Sequence, residues 1–223
     1  MAAQLFISLV TEGPTDDRFL KPVIQNLFHE LAYECRKEIQ VEEIRLLKTL
    51  PKRLGFVAQM FAASNEAAGN GTGILCIHAD ADSPDSSIVF DTKFRPLFEH
   101  LDAESIADAA PQIVPVIPVR MTEAWMLADS VAWERITDIP ACNFSSGSLS
   151  GSPEKISDPK HELKQTLEAF QKSKGRRRKS LELDRLYQLI GQLTRLSYLR
   201  MLPSFQSFEE SAREALKRTG YLR

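Results

Sequence analysis

The 223-residue chain reads as an α/β fold, with a central, mostly parallel sheet flanked by helices and a C-terminal helical extension. Three observations predict it. Short apolar runs alternate with segments of helical periodicity along the first part of the chain. Those runs are nearly continuous in apolar character, as strands covered on both faces are. Beyond residue 158 the periodicity is helical throughout.

Residues 4–10 (QLFISLV) have the composition of the first strand. From Asp17 the period changes: Phe19, Leu20, Val23, Ile24, Leu27, Phe28 and Leu31 recur at helical spacing, with Thr15 or Asp16 as the expected cap. A second strand is expected over 41–48, with Ile44, Leu46 and Leu47 as its apolar members, then a helix over 50–68. The glycines of AAGNGTG follow a helix and precede a strand, the reverse of a phosphate-binding loop, so this segment reads as a helix-to-strand turn. The third strand follows in GILCIHADADS, residues 73–83, and a helix is expected over 92–106.

Residues 112–119 (QIVPVIPV) are β-branched but contain Pro115 and Pro118, which cannot donate ladder bonds; an edge or irregular strand is expected. RMTEAWMLADSVAW then reads as a single helix, with Trp125 and Trp133 as core or partner-facing residues. A loop rich in Ser, Gly and Pro spans 138–158, and helices are expected over 159–172, 181–199 and 205–219. This divides the chain into an α/β domain, 1–153, and a basic helical extension, 154–223, packed on it.

Composition sets the broad class. With 43% apolar residues the chain is long enough for one domain with a real core. Its apolar stretches are too short for a transmembrane helix, and the start lacks the basic and apolar regions of a secretory leader. Three widely separated cysteines, Cys35, Cys76 and Cys142, suggest neither a disulfide framework nor a zinc knuckle, so a reducing cytoplasm is the expected compartment. The net charge of -2 hides an asymmetry: residues 1–153 carry 12 Lys and Arg against 21 Asp and Glu, and residues 154–223 carry 16 against 9. An acidic site beside a basic surface suits a polyanion that touches one part with its backbone and the other through bound cations.

The acidic residues fall at strand ends. Asp80 and Asp82 follow the third strand, where both can reach one hard cation; the alternative reading is an Asx-type turn, since Ser83, Pro84 and Asp85 are turn formers. Glu12 follows the first strand in EGPTD, and Asp16 stands four residues on, where it is a metal ligand or a carboxylate favoured by the helix dipole. Glu123 and Asp129 lie six residues apart, too far around a helix for both to face the crevice; Glu123, nearer the strand end, is the metal candidate, and Asp129 is left to cap or ion-pair. His78 reads as a packed or hydrogen-bonded residue before it reads as a ligand. A hard oxygen set of this kind selects Mg2+ or Mn2+, and two such ions would stabilise both the attacking and the leaving oxygen of a phosphodiester.

The segments EGPTDDRFLKPVI, ILCIHADAD, IPVRMTEAWMLAD, PEKISDPKHEL and SFQSFEESAREAL, in that order, resemble a small family of Toprim proteins often encoded beside ABC/SMC-type ATPases. The Glu-Gly-x-x-Asp and Asp-x-Asp motifs are similar to those of the wider Toprim fold of topoisomerases, primases and OLD-type nucleases. The resemblance implies a Toprim-like sheet, Glu12 as general acid or base and metal ligand, and Asp80 and Asp82 as holders of the divalent ion. It also implies Asp16 as a further acidic residue and Lys160, in Asp158-Pro159-Lys160, as the cation that neutralises phosphate charge.

The expected function is therefore Mg2+- or Mn2+-dependent hydrolysis of phosphodiester bonds in DNA or RNA, with an ATPase partner in a prokaryotic anti-phage defence system. Lys174, Arg176, Arg177, Arg178 and Lys179 form a cationic run that is either a solvated loop or a phosphate-backbone contact. Two alternatives stand beside this reading: a non-catalytic binding or regulatory module on the same fold, and a haloacid-dehalogenase-type phosphatase. Against the phosphatase, its Asp-x-Asp follows the first strand, whereas this pair comes third and is followed by Ser83 and Pro84.

Overall fold

The structure, a computed structural model, describes residues 2–48, 54–103, 110–137, 152–173 and 183–223. Its strands form a two-stranded and a four-stranded sheet, both parallel throughout. Strands β1 (Ala3–Leu5) and β2 (Ile7–Val10) flank Phe6, and β3 (Ile39–Val41) and β4 (Arg45–Leu46) pair with them in turn. Strands β5 (Ile74–His78) and β6 (Gln112–Val116) complete the order β4-β2-β5-β6, with β6 at the edge. An edge position satisfies Pro115, whose missing N–H would break a ladder on a second side.

The expected strand over 41–48 is interrupted by a side chain of the first helix. The Gln25 side chain donates to the Glu42 carbonyl at 3.2 Å and accepts the Ile44 N–H at 2.9 Å, taking backbone groups that a longer strand would use otherwise. Helix α1 (Pro14–Ala32) also starts earlier than the periodicity indicates, and neither Thr15 nor Asp16 caps it; Gly13 is the N-cap and Pro14 occupies the first turn. Proline there has its φ preset for the helix and lacks an N–H that would have no partner anyway.

Both faces of the sheet are covered. Leu5, Ile7, Leu9, Ile74, Cys76, Val114 and Val116 pack into one core with α1 and the C-terminal helices. Val10, Leu75 and Ile77 pack into a second core with α2 (Phe56–Gly69) and α4 (Arg95–Ala103). Helix α4 is preceded by a short helix α3 (Ser87–Val89) and one π-helical turn over Phe90–Phe94, so helical structure begins before residue 92. The segment after α2 is a helix-to-strand turn, as read, and Gly71 sits in the left-handed region at φ 70°.

The expected helix after β6 is broken into α5 (Thr122–Met126) and α6 (Ser130–Thr137). Asp129 causes the break: its Oδ1 accepts the N–H groups of Val131 and Ala132 and so caps a new helix. The same carboxylate accepts Arg195 Nε and Nη2, both at 3.1 Å. Burial opposes its ionisation, but the Arg195 and backbone hydrogen bonds outweigh burial and hold the carboxyl below its ordinary value.

The C-terminal region comprises a 3-10 turn (Pro153–Lys155), α7 (Pro159–Ser173), α8 (Leu183–Leu193), α9 (Leu196–Leu199) and α10 (Pro203–Arg218). It shares the α1-side core through Leu163, Leu186, Tyr187, Ile190, Phe205 and Phe208. Gly191 is required at the α1–α8 crossing, because a Cβ there would stand 2.5 Å from the Phe19 carbonyl oxygen. Trp125 and Trp133 are both fully buried. Trp125 Nε1 donates to Ser204 Oγ at 2.7 Å, and its ring meets Phe205 edge-on, so α10 is fastened directly to the helix that follows the edge strand. Among the described residues no helix is long and apolar enough to cross a membrane.

Candidate metal centre

Past the carboxyl ends of the strands the backbone keeps the register of the sheet. Ala79 N–H donates to Val116 O at 3.1 Å, Ala81 N–H to Pro118 O at 3.1 Å and Asp82 N–H to Arg120 O at 2.8 Å. The HADAD segment is thus pinned to the chain leaving β6 and does not float as a free loop. Asp82 and Arg120 are the two non-glycine residues at positive φ among the described residues, at 52° and 63°. Aspartate tolerates that region, but for arginine it costs about 1 to 2 kcal/mol. The turn reading of Ser83-Pro84-Asp85 also holds, since Ser83 Oγ bonds the Asp85 backbone and Asp85 Oδ1 accepts the Ser87 N–H. It begins after Asp82, so turn and site share the segment without competing.

Among the expected ligands, Asp80 is held by several bonds. Its Oδ1 accepts the Thr122 N–H at 2.9 Å and approaches Thr122 Oγ1 at 3.3 Å and His78 Nε2 at 3.1 Å. Thr122 is fully buried at the start of α5, so the helix places both of its polar groups on Asp80. Asp16, in the first turn of α1, closes the group: ligand atoms of Asp16, His78 and Asp80 lie within 4.8 Å of one another. Its neighbour Asp17 takes a different role, accepting a 2.7 Å bond from Thr11 Oγ1. Burial raises the Asp16 carboxyl above its ordinary value; His78 opposes, while the negative charges of Asp80 and Glu12 add to the rise.

His78 behaves as a hydrogen-bonded residue. Nε2 meets Asp80 and Thr122 Oγ1, while Nδ1 is buried without a partner. A proton on Nε2 leaves Nδ1 a bare lone pair; the other neutral tautomer would bury an unpaired N–H, and a ligating histidine ordinarily donates that N–H to a second partner. The ring therefore serves to orient Asp80. Burial pulls its basicity down, but Asp80, Asp16 and Glu12 outweigh burial and raise it overall.

The other expected site residues stand around this group. Glu123 is buried in the first turn of α5; burial raises its carboxyl, Asp80 and Asp16 add to the rise, and Lys160 opposes it. Lys160 itself is exposed on the first turn of α7, close enough for its charge to reach Glu123. Asp82 is exposed, and it does not join the three-residue group. Glu12 pairs with Lys93 Nζ at 3.2 Å, an ion pair from the π-helical turn that the sequence did not announce. Asp129 does not face the site, its oxygens being held by Arg195 and the start of α6. Lys174, Arg176, Arg177, Arg178 and Lys179 lie outside the described residues. Sequence reading also missed Thr122 and Arg120. Thr122 carried a usable signal, a hydroxyl residue at a helix start beside an acidic neighbour; the left-handed backbone of Arg120 carried none.

The residues present fit a divalent cation: two carboxylates converge on one point, and a third and fourth, Glu123 and Glu12, share their field. A parallel α/β sheet with carboxylates gathered past the carboxyl ends of its strands defines a Rossmann-like protein with an acidic cluster as its candidate site. The chain belongs to the family described as domain of unknown function (DUF4276), whose model matches residues 11–211. That span runs from the end of β2 into α10 and so takes in the whole candidate centre together with the helices packed behind it. No curated protein and no solved structure matches the chain.

Proposed function

We propose that the chain is a Mg2+- or Mn2+-dependent nuclease of Toprim type that hydrolyses phosphodiester bonds in DNA or RNA. The observation that supports this reading most is the convergence of Asp16 and Asp80, with ligand atoms within 4.8 Å, at the carboxyl end of a parallel sheet. Asp16 and Asp80 would hold the cation, with Asp82 and Glu123 bordering it. When bound, the divalent ion supplies charge stabilisation to the phosphoryl oxygens and lowers the pKa of a bound water.

The chain's own residues do the rest. His78 and Thr122 keep Asp80 oriented. Glu12, on the turn after β2, takes the proton of the attacking water, and its pairing with Lys93 Nζ at 3.2 Å holds the carboxylate in place. Lys160, whose charge reaches Glu123, offsets charge developing on the phosphate. On the Toprim resemblance, an ABC/SMC-type ATPase is the expected partner, anti-phage defence the expected setting and the cytoplasm the expected compartment.

The test is incubation of the purified protein, alone and with a neighbouring ATPase, with labelled single- and double-stranded DNA and RNA in Mg2+ or Mn2+. Cleavage that disappears in Asp80→Asn supports the reading. Absence of cleavage under every condition, together with unchanged biological activity of Asp80→Asn and Glu12→Gln, favours a non-catalytic module instead.

A further inference from the structure

Three arginines of the C-terminal region have carboxylate partners: Arg195 takes Asp129, Arg200 takes Glu30 and Glu209, and Arg213 takes Glu34 and Glu209. Arg120 differs. It leaves the sheet between β6 and α5, two residues before Thr122, with its backbone carbonyl bonded to Asp82. No carboxylate pairs with it among the described residues, although its backbone is bonded to Asp82 and Ser83, beside Asp80, and it stands three residues before Glu123. One guanidinium nitrogen, Nη1, donates to the Ser157 carbonyl at 3.3 Å, and Nε is buried without a partner. Ser157 belongs to the turn that leads into Lys160, so both cations are tied to one segment.

A half-buried guanidinium with a desolvated donor and no counter-charge is unfavourable unless an anion completes it. Its backbone is strained as well, and strained positions concentrate where a side chain must be aimed. On the segment that continues from the edge strand to Thr122 and Asp80, such a group cannot serve to hold the carboxylates, with which it makes no bond.

We propose that Arg120 binds the phosphodiester group of a nucleic-acid substrate, its planar fork taking the non-bridging oxygens and presenting the phosphorus to the Asp16–Asp80 centre. This inference rests on the phosphodiester reading above and adds a substrate-contacting residue to it. Arginine suits the role because its fork matches phosphate geometry, whereas lysine offers a point charge. The tie to Ser157 fixes the side chain before substrate arrives, and Lys160 supplies a second positive charge on the same segment.

The experiment measures binding of short fluorescein-labelled DNA and RNA oligonucleotides by anisotropy, with Ca2+ present, to wild type, Arg120→Gly and Arg120→Lys, alongside thermal melting. Glycine adopts the left-handed backbone freely, so Arg120→Gly removes the guanidinium without a folding penalty. Both variants are expected to bind at least about tenfold more weakly, as for the loss of a charge-assisted bidentate contact, with no fall in the melting temperature of Arg120→Gly. Wild-type affinity in Arg120→Gly would overturn the assignment and leave the phosphodiester reading standing. Lost affinity accompanied by a lowered melting temperature would assign Arg120 to holding the Ser157 turn, and full affinity in Arg120→Lys would show that a point charge suffices; either outcome overturns the proposal. Failure of wild type to bind any oligonucleotide removes the phosphodiester reading and this inference with it.

Discussion

Asp82 and Arg120 hold one another in left-handed backbone: the Asp82 N–H donates to the Arg120 carbonyl at 2.8 Å, and the Arg120 N–H returns to the Ser83 carbonyl at 3.0 Å. The pair extends the β5–β6 register beyond the last strand residues and fixes where the second aspartate of HADAD sits. Backbone and carboxylate roles of Asp82 are separable by substitution. Asn tolerates the left-handed region, so Asp82→Asn is expected to change stability by less than about 0.5 kcal/mol while weakening Mn2+ binding. Asp82→Ala, which adds backbone strain, is expected to cost about 1 kcal/mol more in chemical denaturation.

Thr122 places two polar groups on the Asp80 carboxylate and one on His78, all from a fully buried position. Thr122→Val keeps the shape and the backbone N–H but removes the hydroxyl, taking one contact from Asp80 and one from His78 and so loosening the carboxylate. Calorimetry should show Mn2+ affinity falling about tenfold or more, the range for lost outer-sphere partners of metal ligands. Thr122→Ser restores the hydroxyl and should recover most of the affinity, a rescue that a packing defect alone would not give.

What sequence could and could not reveal follows from the range of the interactions involved. The sheet was legible because β2 and β5 are buried on both faces, which writes a continuous apolar run into the chain. Pro115 likewise marked the edge strand, because a missing donor has a purely local consequence. Asp16 and Asp80 were legible as site candidates because strand ends converge in this class of fold. The break between α5 and α6 was not legible: Asp129 starts the new helix only because Arg195, 66 residues later, holds its carboxylate in place. The Glu12–Lys93 pair spans 81 residues, and no local pattern encodes it. Gln25 occupying the gap between β3 and β4 is of the same kind, a helix side chain satisfying a strand backbone.

Asp129 also sets an expectation for acid stability. Its carboxyl is held below the ordinary value, so its contribution is fully present above the unfolded pKa of about 4 and is lost as pH falls through the folded value. Asp129→Asn should destabilise the protein by about 2 to 3 kcal/mol near neutral pH, less than the loss of a fully buried pair because Arg195 is 39% exposed. Urea denaturation of both proteins should show that gap narrowing as the pH is lowered below about 4, where wild type loses the same ionised group. A gap that stayed constant across that range would mean the carboxylate's charge contributes nothing.

Asp16 predicts the opposite pH dependence, and one that a cation should reverse. Burial and the charges of Asp80 and Glu12 raise its carboxyl, so the folded, metal-free protein favours the protonated form, and stability is lost as pH rises through that raised value. Mg2+ or Mn2+ requires the deprotonated ligand, so the stabilisation gained from the metal should be absent below about pH 4 and grow towards neutrality. At a hundredfold excess over the dissociation constant the gain is about 2.7 kcal/mol. Asp16→Asn removes the repulsion and the ligand together: metal-free, it should melt above wild type near neutral pH, and it should gain little from added Mn2+. Thermal melts of wild type and Asp16→Asn across this pH range, with and without Mn2+, measure both effects at once. An increase with Mn2+ of the same size in the two proteins would place the cation elsewhere.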